Sequence, residues 1–180
     1  MRFSPAMLLL ALLAAGLPGQ ALADEIYGGA YAHGVDTPFT FDTGEGGVDL
    51  QAGYRFDPIA GLEALGGPQP YVFASANLAG DTNFAGVGVS WKAEIGDVYL
   101  RPGVGLVWHD APSLRVDPAT GMRTDLGSRI LFEPELALGI AIDSRWSLEA
   151  SWVHISNARL FNSEQNPGID MMGLRLNRRM

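Results

Sequence analysis

From Asp24 onward the chain is patterned with a period of two, and eight segments carry the alternation. Successive side chains of a strand point to opposite faces, so this pattern marks strands whose two faces meet different surroundings. The clearest segments are about 47–56, 84–95, 98–109, 129–142, 145–156 and 168–178. In 129–142, Ile130, Phe132, Leu136, Leu138, Ile140 and Ile142 oppose Glu133, Glu135, Ala137, Gly139 and Ala141; in 145–156, Trp146, Leu148, Ala150 and Trp152 oppose Ser147, Glu149 and Ser151. Segments at about 25–33 and 70–79 have strand composition without a clear phase.

The charges decide what the two faces are. Asp49, Arg55, Lys92, Glu94, Arg101, Glu133, Glu135, Glu149 and Arg175 all fall opposite the apolar stripe, mixed in sign and interspersed with glycine. That is the composition of a narrow lumen filled by paired side chains, with Glu133, Glu135 and Glu149 expected to pair with Arg55, Arg101 and Arg175. A soluble lipocalin-like barrel would carry its apolar residues inside. Connection lengths separate the alternatives: Gly96-Asp97 and Asp143-Ser144 are tight, whereas 110–127 and 157–167 are long and polar, as in an outer-membrane barrel with short periplasmic turns and long external loops. The connection 57–68 is the exception, long on the periplasmic side. Trp91, Trp108, Trp146 and Trp152, with Tyr54 and Phe56, sit near segment ends on the apolar face and suit an interfacial girdle.

The residues before the first segment supply the compartment. Arg2 gives a positive start, Ala6 to Leu17 an apolar run, and Ala21-Leu22-Ala23 a small-x-small cleavage site, so 1–23 reads as a signal peptide and 24–180 as one exported domain. No later run reaches the ~20 apolar residues of a membrane helix. With 12 Lys+Arg against 20 Asp+Glu, net −8, and −9 once Arg2 is lost, the chain offers no basic patch, so nucleic acid is not an expected partner. Zero cysteines exclude thiol catalysis and Cys-ligated metal. The expected fold is therefore all-β, an eight-stranded antiparallel transmembrane β-barrel.

Parity then isolates one group of residues. His154 and Ser156 share a face with Trp146, Leu148, Ala150 and Trp152, and Asp170 shares one with Met172, Leu174 and Leu176, so a base, a hydroxyl and a carboxylate point towards lipid at the ends of two adjacent strands. Polar groups are costly in that position. A serine becomes a nucleophile when a histidine takes its proton and a carboxylate orients the imidazolium; residues i and i+2 lie roughly 7 Å apart on one strand face, and Asn157 or nearby backbone N–H groups could hold an oxyanion. The competing reading makes these residues interfacial hydrogen-bonding groups. His33 and His109 lack a matching serine and carboxylate and read as structural.

His154-Ile-Ser156-Asn157-Ala followed by Asn166-Pro-Gly-Ile-Asp170 resembles the signature of the PagL family of lipid A deacylases, whose members carry His-x-Ser-Asn on the seventh strand and Asn-x-Gly-Ile-Glu opening the eighth. The resemblance implies an enzyme of the Gram-negative outer membrane that removes the ester-linked 3-O acyl chain from the lipid A of lipopolysaccharide, without metal or cofactor. It implies Ser156 as nucleophile, His154 as general base, Asp170 as orienting acid, and Asn157, Arg159 and Asn166 near the oxyanion hole or the substrate. Two departures stand out: Asp170 is one methylene shorter than the family glutamate, and Arg159 stands where a small residue is expected; Arg159 could instead meet a lipid A phosphate. A homodimer is left open. The rival readings are a non-enzymatic small barrel, adhesin or structural, with binding loops at 34–45 and 110–127, and an esterase for another lipid, such as a phospholipase.

Overall fold

The computed structural model describes residues 24–160 and 166–180; the signal peptide expected at 1–23 lies outside the described residues. The strands are β1 Glu25–His33, β2 Val48–Arg55, β3 Gln69–Asn77, β4 Phe84–Ser90, β5 Ala93–Ile95, β6 Val98–His109, β7 Ile130–Ala141, β8 Trp146–Ile155 and β9 Ile169–Arg179. All neighbours pair antiparallel, and β1 with β9 and β4 with β6 complete the ring. Both β4 and β5 pair with β6 in one continuous register, Phe84↔His109 through to Ala93↔Leu100, so they occupy a single position in the wall. The interruption lies opposite Pro102, whose carbonyl accepts the Trp91 N–H at 2.9 Å but which has no N–H to return. The result is the expected closed barrel of eight wall positions, with no sheet edge left to satisfy in lipid.

Burial fixes the phase of the two ambiguous strands. In β1, Glu25, Tyr27, Tyr31 and His33 are buried; in β3, Tyr71, Phe73, Ser75 and Asn77 are. The outward residues include Leu50, Val87, Leu106, Trp108, Leu138, Ile140, Leu174 and Leu176, all exposed. The Tyr27 ring crosses the lumen so closely that a Cβ at Gly53 would lie 2.3 Å from its Cζ, which is why a glycine faces it.

The lumen is filled by a charged network. Arg175 pairs with Glu135 at 2.8 Å and with Glu149; Arg101 pairs with Glu149 at 2.9 Å and Glu25 at 3.0 Å; Arg55 pairs with Glu25 at 2.7 Å. Arg55, Arg101, Glu149 and Arg175 are almost wholly withdrawn from solvent, so each charge depends on its partners. Glu25 is the member the sequence did not reveal, because its strand lacked a readable phase. Glu133 takes the Tyr71 hydroxyl as its hydrogen-bond donor in place of the expected arginine. Lys92 and Glu94 keep the inward parity at the mouth of the lumen beside the β5–β6 turn: Glu94 lies opposite the inward Tyr99, Lys92 Nζ stands 4.3 Å over the Tyr99 ring, and the two pair with each other at 3.3 Å, with Glu94 reaching solvent. Towards the opposite end the interior turns apolar, with Val107, Leu126, Leu131, Val153, Ile155, Ile169 and Met171 in one cluster.

The long connections, 34–47, 110–129 and 156–168, gather at that end. His33 sits at the base of the first, with Nδ1 2.8 Å from Asp49 and Nε2 2.7 Å from Glu45. Carboxylates only accept, so both ring nitrogens donate. His109 is neutral: Nε2–H donates to the Ser128 carbonyl at 2.6 Å and Nδ1 accepts the Ala111 N–H at 3.2 Å.

Candidate active site

Strands β8 and β9 run antiparallel with His154 directly opposite Asp170, and opposed residues in such a pair have Cβ atoms about 5 Å apart on the same face. The face is the outer one, as the parity of Trp152, Met172 and Leu174 predicts. His154 Nδ1 lies 2.7 Å from Asp170 Oδ1, leaving Nε2 as the nitrogen turned away from the acid. The register between β7 and β8 holds from Glu135↔Val153 through Phe132↔Ser156, so Pro134 lies opposite His154. Pro134 has no N–H, and the ladder is interrupted beside the histidine before Ser156 re-forms it through both backbone bonds to Phe132, at 2.7 and 3.0 Å.

Asp170 is fully buried although it points outward. Its cover comes from the wall and from the β1–β2 loop: the Trp152 indole N–H donates to Oδ1 at 3.0 Å, and the Thr37 hydroxyl donates to Oδ2. The Phe39 ring lies 5.8 Å from the Trp152 ring, closing the same flank. Trp152 therefore belongs to this cluster. Gly168, at φ +68°, lets the chain turn against the histidine; a Cβ there would meet His154 Cε1 at 2.9 Å.

Ser156 is on the same strand face, two residues beyond His154, and its backbone is held by β7. Among the described residues no side-chain hydrogen bond joins its hydroxyl to His154. Asn157 is fully buried and its side chain is engaged within the loops: Nδ2 donates to the Leu126 carbonyl at 3.1 Å, and Oδ1 accepts the Arg159 N–H at 2.7 Å. Its backbone N–H donates to Asn166 Oδ1 at 2.9 Å, so Asn157 and Asn166 tie the two ends of the β8–β9 connection together. Ala158 and Arg159 both have positive φ, 51° and 58°, the left-handed region that disfavours side chains. That is the physical sense in which position 159 suits a small residue. Arg159 lines a cleft of about 280 Å³ between the three external loops with Phe41, Met122, Arg123 and Asn166.

The β1–β2 loop is fastened at its far end as well. Burial pushes the Glu45 carboxyl up, but hydrogen bonds from His33 and Thr82 and the Arg115 charge outweigh it and hold it down, to about 2 from an ordinary 4.5. A depressed carboxyl contributes its stabilisation above the unfolded value and loses it as pH falls through the folded one. The loop should therefore stay protected from protease above about pH 4.5 and open only as pH approaches 2, whereas Glu45→Gln should speed its cleavage at neutral pH; equal cleavage of variant and wild type would show that this anchor does not hold the loop.

Thr37 and Phe39 are the residues that sequence reasoning missed, whereas Gly168 stood in the Asn166-Pro-Gly-Ile-Asp170 motif without an assigned role. Trp152 was within reach of it, since it shares His154's face; Thr37 and Phe39 lie in an irregular loop that carries no periodic signal.

Comparison with known proteins extends the geometry. A family profile described as Lipid A 3-O-deacylase (PagL) matches residues 64–179, more than half of the chain. Among solved structures, the outer membrane enzyme PagL superposes with TM-score 0.60 at 16% identity, covering 85% of this chain and 97% of that one. Neisserial surface protein A gives 0.58 at 10% identity, with 88% and 97% covered, and the N-terminal barrel of Pseudomonas aeruginosa OprF gives 0.54 at 9%, with 89% and 100% covered. At such identities these likenesses establish the barrel alone. No curated protein sequence matches the chain. The apolar exterior, the closed eight-position wall and the family match place the protein in the outer membrane of a Gram-negative bacterium, and the chain belongs to the PagL family of lipid A 3-O-deacylases.

Proposed function

We propose that this chain is a serine esterase that removes the 3-O acyl chain of lipid A, with Ser156 as nucleophile, His154 as general base and Asp170 as orienting acid. The observation that carries the reading is the His154–Asp170 hydrogen bond on the lipid-facing wall, 2.7 Å long, with Ser156 next on the same strand face. Residues 1–23 are the export leader in this reading.

The chemistry follows from that order. Side-chain rotation brings the Ser156 hydroxyl to the free Nε2; Oγ attacks the ester carbonyl as its proton passes to His154. The tetrahedral intermediate collapses when His154 returns the proton to the departing glucosamine 3-hydroxyl, leaving an acyl-serine. Water then attacks with His154 again as base, and the 3-hydroxy fatty acid leaves. Asp170 stabilises the imidazolium throughout. The Ala158 N–H is the oxyanion donor in this reading, since the Asn157 amide is committed to Leu126 and the Asn157 and Arg159 backbone N–H groups to Asn166 and Asn157.

Expressing the full chain in a host whose lipid A retains the 3-O acyl group, and reading lipid A by mass spectrometry, tests the assignment. Loss of the mass of one 3-hydroxyacyl group supports it; an unaltered spectrum with folded barrel present favours a non-enzymatic barrel, and release from glycerophospholipid alone favours a phospholipase. Arg159, beside the site and in an external loop, is suited to a lipid A phosphate. Arg159→Ala should raise KM about fivefold, the effect of one exposed charged contact, with kcat little changed; a fall in kcat alone would remove it from phosphate binding.

A further inference from the structure

We infer that Thr37 is a positioning residue of this active site, so that the β1–β2 loop supplies a fourth member to the group formed by Ser156, His154 and Asp170. The inference rests on the esterase reading above and adds a residue that neither the motif nor the strand pattern contains.

An aspartate in this position has two oxygens and one task. Oδ1 must lie in line with Nδ1 of His154, and it also accepts the Trp152 indole N–H at 3.0 Å. Nothing in the wall fixes the second oxygen, and the carboxylate plane can turn about the short side chain. Thr37 fixes it: the hydroxyl donates to Oδ2. The direction is unambiguous, because a carboxylate only accepts and because Thr37 Oγ1 itself accepts the Phe39 N–H at 3.1 Å, which orients its proton outwards.

Several local features place that hydroxyl. Pro38 follows Thr37 and restricts it to extended backbone, and Pro38-Phe39 form the corner of a turn closed by the Thr40 N–H on the Thr37 carbonyl at 3.4 Å. The loop is also bound to the residues around the acid by backbone: the Val35 N–H donates to the Asp170 carbonyl and the Phe41 N–H to the Pro167 carbonyl, both at 2.9 Å. Asp170 is thus held by its main chain from one side of the loop and by its side chain from another, while Phe39 lies against Trp152, the acid's other side-chain donor besides His154. With an aspartate in place of the longer family acid, the carboxylate reaches less far from β9, and the clamp of Thr37 and Trp152 keeps that shorter arm aimed at the imidazole.

The test compares Thr37→Val, which keeps the shape and removes the hydroxyl, with Thr37→Ser, which keeps the hydroxyl, in the full-length barrel in detergent micelles, with folding checked by heat-modifiable mobility. Turnover of lipid A should fall about 10- to 100-fold in Thr37→Val, the effect of losing one hydrogen bond to a charged group, through kcat with KM within about twofold. Thr37→Ser should recover the rate to within about threefold of wild type. The downfield proton resonance of the His154 Nδ1–H should be present in wild type and Thr37→Ser and broadened or shifted in Thr37→Val, a readout that needs no turnover. Thr37→Val turning over at the wild-type rate, or a resonance identical in all three proteins, would overturn the role of Thr37 while leaving the esterase reading in place. A folded wild type that releases no fatty acid would instead overturn that reading, and with it this one.

Discussion

Ser156→Ala is expected to lower fatty-acid release from lipid A by about 10⁴-fold or more on the proposed mechanism, because a serine hydrolase without its nucleophile keeps only binding and oxyanion stabilisation. The same substitution should leave the barrel intact. Both hydrogen bonds that hold Ser156 to Phe132 are made by its backbone, at 2.7 and 3.0 Å, and survive the change. Stability by urea unfolding should stay within about 0.5 kcal/mol of wild type. The combination is diagnostic: a folded, inactive barrel with unmodified lipid A masses supports nucleophilic catalysis, whereas a Ser156→Ala protein that still releases 3-hydroxy fatty acid would falsify the assignment of the nucleophile.

The second large effect lies in the lumen. Arg175→Met should destabilise the barrel by about 3–5 kcal/mol, the usual consequence of breaking a buried ion pair from one side. Arg175 donates to both oxygens of Glu135, at 2.8 and 3.2 Å, and also to Glu149. Glu149 keeps Arg101 and the Tyr99 hydroxyl, each at 2.9 Å, but Glu135 is left as a buried carboxylate without its cation. Removing both partners in Glu135→Leu/Arg175→Met should therefore recover most of the loss. Urea titrations of the single and double variants in micelles measure the cycle. A single variant as stable as wild type would mean that the lumen tolerates the unpaired charge, through water or proton uptake.

Much of this architecture was legible in the sequence, and the reasons for success and failure are physical. Strands β2, β6, β7, β8 and β9 could be phased because lipid on one face and charge on the other impose contrast at every second residue. Strands β1 and β3 could not: Tyr27, Tyr31, Tyr71 and Phe73 face inward, opposite small residues such as Gly28, Ala30 and Ala74, so hydropathy inverts the true orientation or erases it. Glu25 was lost with its strand. The placement of His154 and Asp170 on one face of adjacent strands followed from parity and strand order; their direct opposition is set by the register. What holds the acid did not, since Thr37 reaches it from 133 residues away in sequence, across a ring closure that no local pattern encodes.

The run of β8 from Trp146 near the periplasmic turn to Ser156, one residue past its upper end, takes ten residue steps. At ~3.3 Å per residue and a tilt near 40°, that is a rise of roughly 25 Å along the membrane normal, about the thickness of the apolar band such barrels present. In the proposed esterase, Ser156 thus stands at the level where hydrocarbon gives way to headgroup, at an altitude set by strand length. Lipid A arriving by lateral diffusion offers its ester bonds at altitudes set by its own anchoring in the leaflet. On that reading choice among those bonds is a matter of depth, and lengthening or shortening β8 by two residues, which preserves parity, should move the cut to a different acyl linkage.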